Sequence, residues 1–159
     1  LLSKILKVSP TAVAKSLKKL ENHNLIKIEK VKIINFVSFN RDEPKAIELK
    51  RAENLKNIYL SNLLDYLEEE LAGGTIILFG SYSRGEDTNT SDMDIAVIGR
   101  KDKLLKLKEY EKYLNREINI NFYNSWKEIH NNLRDNILNG IILQGSVELW
   151  NIFGLLKNL

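Results

Sequence analysis

The run Thr75-Ile76-Ile77-Leu78-Phe79-Gly80-Ser81-Tyr82-Ser83-Arg84-Gly85, followed after five residues by Ser91-Asp92-Met93-Asp94, decides how this 159-residue chain is read. Thr75 to Phe79 is short, apolar and rich in β-branching, with Gly73-Gly74 before it, which predicts a fully buried strand. Gly80 and Ser81 then stand at a strand-to-helix switch. There, free backbone N–H groups, the Ser81 hydroxyl and the positive end of the following helix can face a polyphosphate. Asp94 to Ile98 is a second apolar run, and Asp92 and Asp94, two apart on a strand, project their carboxylates to one side. Such a pair suits Mg²⁺, a hard cation that keeps few protein ligands and takes its others from phosphates and water. A P-loop would require Gly-Lys-Ser/Thr after its spacer, and a dinucleotide fold a Gly-x-Gly-x-x-Gly turn; neither is present.

Downstream of this stretch, Asp102 to Leu114 reads as a helix. Ile118, Ile120 and Phe122 alternate with Glu117, Asn119 and Asn121 as a third strand. Ser125 and Glu128 stand in capping-box spacing, Ile129, Leu133 and Ile137 continue a last helix, and Val147 to Trp150 reads as a short edge strand. Upstream, Lys45 to Leu71 carries Ile47, Leu55, Tyr59, Leu63 and Leu67 at helical spacing without a breaker, which predicts one connecting helix. Before it, Leu2 to Lys7 is helical, Ser9 is placed as an N-cap and Pro10 at the first helical position. Val13, Leu17 and Leu20 form the stripe of a second helix. Ile26, Ile28, Val31, Ile33, Phe36 and Phe39 then follow near period two, with a turn expected at Glu29-Lys30. Helix, tight turn, basic helix and hairpin is the order of a winged helix-turn-helix. Leu1 stands where a helix is already under way, so residues are expected to precede it.

A composition of 43% hydrophobic and 28% charged residues argues against disorder and repetitive rods. The absence of cysteine removes disulfides, cysteine nucleophiles and cysteine zinc sites, and points to a reducing, cytoplasmic compartment. No run approaches the roughly 18 apolar residues of a membrane span. Residues 1–44 hold nine Lys or Arg against four Asp or Glu, whereas the whole chain is only +3, so a basic front precedes a mildly acidic remainder. Lys15, Lys18, Lys19, Lys30 and Lys32 can contact the phosphates of duplex DNA. The plainer alternative is a solvated face on a module used for homodimer formation. His23 and His130 have no second ligand at metal spacing, and Trp126 and Trp150 sit in apolar patterns that suit a core.

A phosphate-facing turn beside a metal-holding pair is the chemistry of nucleotidyl transfer. The stretch resembles the DNA polymerase β-like nucleotidyltransferase superfamily, particularly its minimal nucleotidyltransferases, whose motif runs Gly-Ser-x-x-Arg-Gly, a short spacer, then Ser-Asp-x-Asp. The resemblance covers about residues 72–150 and implies an α+β fold, a small mixed sheet flanked by helices, with Mg²⁺ dependence and an NTP donor, commonly ATP. It implies that Gly80, Ser81, Arg84, Gly85 and Ser91 serve the nucleotide, that Arg84 supports catalysis, and that Asp92 and Asp94 hold metal and are catalytic. The family's third carboxylate is expected where this chain has Asn119, a neutral amide that takes no proton. Glu117, on the same face of that strand, lies one pleat away, roughly 6–7 Å. Members of such families modify antibiotics, proteins or nucleic acids, and minimal ones are often paired with a helical partner protein as antitoxin to toxin. The expected partition is a winged helix-turn-helix lacking its first helix over 1–44, a connecting helix over 45–71 and a nucleotidyltransferase domain over 72–159. A DNA-binding regulator with a catalytically weakened nucleotide-binding module is the alternative, and Asn119 favours it.

Overall fold

Ser9 divides the first helical run from the second, as its spacing to Ala12 leads one to expect. In the computed structural model, which describes residues 2–148, the Ser9 hydroxyl accepts the Ala12 N–H at 3.1 Å. The chain divides into two compact units between Leu49 and Lys50. The first holds α1 (Leu2–Leu6), α2 (Pro10–Asn22) and an antiparallel hairpin of β1 (Ile26–Val31) and β2 (Ile34–Phe39). Val31 pairs with Ile34, so the turn is Lys32-Ile33 with Lys32 at a φ of 56°, and Glu29 and Lys30 lie inside β1. The turn expected at Glu29-Lys30 is thus displaced by the β-branched Val31 and Ile34, which extend the ladder to a two-residue connection. Lys27 and Asp42 form an exposed ion pair that holds the Asp42 carboxyl below its ordinary value. Lys15, Lys18 and Lys19 on α2, and Lys30 and Lys32 on the hairpin, are all exposed.

The single helix expected over 45–71 is two, α3 (Pro44–Leu60) and α4 (Leu63–Glu70). Asn62 between them is left-handed at φ 59°, and the Ser61 hydroxyl donates to the Ile58 carbonyl and accepts the Leu63 N–H. Ser and Asn compete with the helix ladder through such local bonds, and Asn tolerates the left-handed region, a signal that apolar periodicity alone does not carry. Nor is the segment a mere connector. Ile58, Leu63, Leu64, Leu67 and Leu71 are buried in the core of the second unit, so the boundary expected at residue 72 cuts through that core.

The second unit continues with β3 (Thr75–Phe79), α5 (Gly80–Arg84), β4 (Met93–Ile98), α6 (Lys108–Leu114) and β5 (Ile118–Tyr123). A 3₁₀ turn (Trp126–Glu128), α7 (Asn131–Leu138) and β6 (Ile141–Gln144) follow. The four strands form one mixed sheet in the order β5-β4-β3-β6, with β3 antiparallel to both neighbours and β4 parallel to β5. Alternation along the strands sends Ile76, Leu78, Met93, Ile95, Val97 and Ile118 to the face that also buries α4. Ile77, Phe79, Ala96 and Ile98 face the other way, with Trp126, Ile129 and Ile137. Fully burying a side chain such as Leu67 or Ile137 contributes about 1.5–3 kcal/mol, so both layers hold the sheet.

Three further expectations are corrected. The helix expected from Asp102 begins only at Lys108, because the preceding segment is strapped across α4. The Lys106 N–H donates to the Tyr66 hydroxyl at 2.8 Å, Lys103 pairs with Glu70 at 2.5 Å, and Tyr66 stacks on Tyr110. Ser125 caps nothing; Glu128 instead accepts the Asn124 N–H at 2.9 Å, and α7 starts only at Asn131. The edge partner of β3 is β6 rather than the 147–150 segment. Val147 and Glu148 are not in a strand, and Leu149 and Trp150 lie outside the described residues. Among the described residues no helix is long and apolar enough to cross a membrane.

Candidate active site

The site begins where β3 stops. Phe79 pairs with Asp94 across the sheet, and Gly80 then turns the chain into α5 at a φ of +76°. A Cβ on Gly80 would stand 2.7 Å from Asp94 Oδ2, so the backbone of the turn lies directly against that carboxylate. The Ser83 hydroxyl donates to the Gly80 carbonyl at 2.9 Å, and Gly85, left-handed at φ 74°, ends α5 by donating its N–H to the Ser81 and Tyr82 carbonyls. Gly80 and Gly85 are buried, and Ser81 is half-buried.

Asp92 and Asp94 flank the fully buried Met93, so the pleat sends Met93 to the core and both carboxylates to the opposite face. In the parallel β4–β5 ladder Asp94 is paired with Asn119, and Asn119 Nδ2 donates to Asp92 Oδ2 at 3.2 Å. Gly80, Asp92, Asp94 and Asn119 therefore meet at one end of the sheet. Glu117 is exposed and sits just before β5; its carbonyl accepts the Met93 N–H at 2.9 Å, and it borders a cleft of about 510 Å³ with Ser91, Asp92 and Glu111. Among the described residues no three His, Cys, Asp or Glu side chains cluster at metal-binding distances. Two carboxylates and an amide still fit a hard divalent cation that takes its other ligands from phosphate and water.

Arg84 is not drawn onto this cluster. It extends to Glu86 (2.7 Å) and to Asn136 on α7 (3.0 Å), tying α5 to the helix that covers this face. The Ser91 hydroxyl closes the loop before Asp92, accepting the Thr88 N–H at 2.9 Å and bonding the Thr88 hydroxyl at 3.0 Å.

Two residues that sequence reasoning missed organise that loop. Asp87 is buried with its carboxylate between Lys50 (2.9 Å), Arg116 (2.7 Å) and Asn54 (2.7 Å). Arg116 also donates to the Thr88 and Ser91 carbonyls at 2.6 and 2.8 Å and lies 5.1 Å above the Tyr82 ring. Burial pushes the Tyr82 phenol above its ordinary value, against the opposing effect of Arg116. No sequence signal links Asp87 to Arg116, because the pair is 29 residues apart and neither belongs to a periodic pattern.

Residues 60–143 match the family described as "Nucleotidyltransferase domain", a span that takes in α4 as well as the strands. A Methanocaldococcus jannaschii protein that carries the name protein adenylyltransferase is 45% identical over 67 residues, covering 39% of this chain and 69% of the relative. The family match spans more than half of the chain and encloses the glycine turn, both aspartates and Asn119. This protein therefore belongs to the nucleotidyltransferase domain family.

Proposed function

We propose that the protein transfers a nucleoside monophosphate from an NTP, ATP first among them, to an acceptor hydroxyl, and that the acceptor is a partner protein. The acceptor oxygen bonds to the α-phosphorus, the bond from that phosphorus to the bridging oxygen breaks, pyrophosphate departs and the acceptor proton goes to a base. In this reading the turn at Gly80 and Ser81 receives the triphosphate, and Asp92 and Asp94 hold Mg²⁺. The cation supplies charge neutralisation at the phosphates. Gly85 and Ser91 keep the loop in shape around the nucleotide, and Arg84 fixes α5 against α7. Asn119 keeps Asp92 in place but takes no proton, which leaves Glu117 as the base candidate. The observation that carries the proposal is the contact of the Gly80 backbone with the Asp94 carboxylate, beside Asp92 and Asn119. The name of the Methanocaldococcus jannaschii relative supports a protein acceptor.

Calorimetry with Mg·ATP on the parent and on the folded Asp92→Ala, Asp94→Ala double variant tests the site. Binding should vanish in the variant, and equal binding would remove these residues from the site.

Asn119 favours a second reading, in which nucleotide is bound with little turnover and the N-terminal unit, used as a winged helix, places the exposed lysines against duplex DNA. Pairing with a helical protein and homodimer formation are compatible with either reading.

A further inference from the structure

We infer that Asp87 and Arg116 form a positioning pair that sets where Ser91 and Asp92 stand, so that Arg116 governs the site's affinity for Mg²⁺ without touching it. The inference rests on the nucleotidyl-transfer reading of the site, and its test separates the two.

Asp92 has a loop on one side and a strand on the other, and one guanidinium spans both. On the loop side, Arg116 Nη1 holds the Thr88 and Ser91 carbonyls, and Nη2 holds Asp87 Oδ2. On the strand side, Arg116 immediately precedes Glu117, whose carbonyl accepts the Met93 N–H, and β5 then brings Asn119 to Asp92 Oδ2. The guanidinium carbon lies 5.1 Å from the centre of the Tyr82 ring, within cation–π reach. Asp87 is fixed in turn by Asn54 and by Lys50, which also reaches the Asp87 carbonyl. A buried carboxylate facing two cations is costly to desolvate, and apolar residues fill space as well or better. What apolar residues cannot do is present donors to two carbonyls of the same loop. A lysine at position 116 would balance the Asp87 charge, but its compact ammonium lacks the planar fork that reaches three acceptors at once. Groups that orient a metal ligand from outside typically change metal affinity or activity 10- to 100-fold when altered, which sets the expected size of the effect.

The test compares the full chain with Arg116→Lys, Arg116→Met and Asp87→Asn, with Lys56→Ala, in an exposed pair with Glu53, as a control. Hydrogen–deuterium exchange without nucleotide or metal is the first readout. The amides of Thr88 and Ser91 should exchange at least about tenfold faster in the Arg116 variants, while those of Ile95 to Val97 keep the protection of the parent. Magnesium titration of ATP binding is the second. The half-saturating Mg²⁺ should rise about 10- to 100-fold, Arg116→Lys should stay closer to Arg116→Met than to the parent, and excess Mg²⁺ should restore binding. Unchanged exchange at Thr88 and Ser91 overturns the inference, as does an unchanged Mg²⁺ requirement in a parent that binds ATP. Uniform loss of protection across β3, β4 and β5 assigns the pair to stability alone and overturns it too. A parent that neither binds nor transfers nucleotide refutes the proposed function, and the exchange data then decide the positioning role by themselves.

Discussion

Replacing Gly80 by alanine separates the backbone cost of the turn from its effect on the carboxylate beside it. At φ +76° a residue with a Cβ is strained by about 1–2 kcal/mol. Gly73 offers the control, because its φ is +84° and a Cβ there would meet nothing within 4 Å. At Gly80 the new methyl would stand 2.7 Å from Asp94 Oδ2, whereas ordinary contact begins at 3.4 Å, so the oxygen must retreat by the difference. That oxygen is the far end of a rotatable side chain, so relief comes from Asp94 turning rather than from the sheet giving way. Both variants should therefore lose similar stability, about 2–8 °C in melting temperature at roughly 2–4 °C per kcal/mol for a chain of this size. Only Gly80→Ala should lose function. Misplacement of a reacting group by about 1 Å can cost ~10²-fold, so Mg²⁺-dependent transfer, or Mg·ATP affinity, should fall by about 10- to 100-fold relative to Gly73→Ala. Thermal melting and calorimetry on the two proteins suffice. Equal ligand binding in both variants would refute the reasoning that the turn and Asp94 work as one site.

Asn119→Asp should raise turnover by roughly 10²- to 10⁴-fold if the third carboxylate is what limits the site, as measured by labelled-ATP transfer. If Glu117 already serves, Glu117→Gln abolishes a measurable parent activity and Asn119→Asp changes little. Duplex DNA binding by the full chain should weaken steeply with salt, and changing Lys15, Lys18 and Lys19 to alanine should lower the slope of log K against log salt by up to about 3, whereas a flat salt response would discard that face. The Tyr82 phenol is raised above its ordinary 10.0 chiefly by burial, so the stability it contributes is complete below that pH and is lost as pH rises through the higher folded value. Alkaline melting of the parent should therefore fall more steeply than that of Tyr82→Phe, by up to about 1.4 kcal/mol per pH unit, and parallel curves would contradict the assignment.

β3, β4 and β5 are legible in the sequence because their apolar runs are bounded by glycine, aspartate and asparagine, and spacing with strand alternation brings Gly80, Asp92 and Asp94 into one neighbourhood, whereas Asn119 joins them only through the resemblance to the nucleotidyltransferase family. Structure whose partners are distant, or that is local but aperiodic, leaves no such trace. The break at Asn62 depends on side-chain bonds from Ser61, and the straightened segment before Lys108 depends on Tyr66 and Glu70, some 30 to 40 residues away. β6 has only four residues and follows α7 almost without a gap, too short a run for its period to stand apart from the helix before it. The Asp87–Arg116 pair lies in neither a motif nor a stripe, so only the folded chain brings it into view.

The mixed pairing of the sheet also distributes the entropy of assembly unevenly. Phe79 and Asp94, which bring the glycine turn to the carboxylates, are 15 residues apart, while Leu78 and Ile141, which attach the edge strand, are 63 apart. With closure cost growing as the logarithm of loop length, the first contact is cheaper by about 1.3 kcal/mol. The segment that carries the candidate site can thus close on itself without waiting for the edge strand, whose docking depends on chain synthesised some fifty residues later.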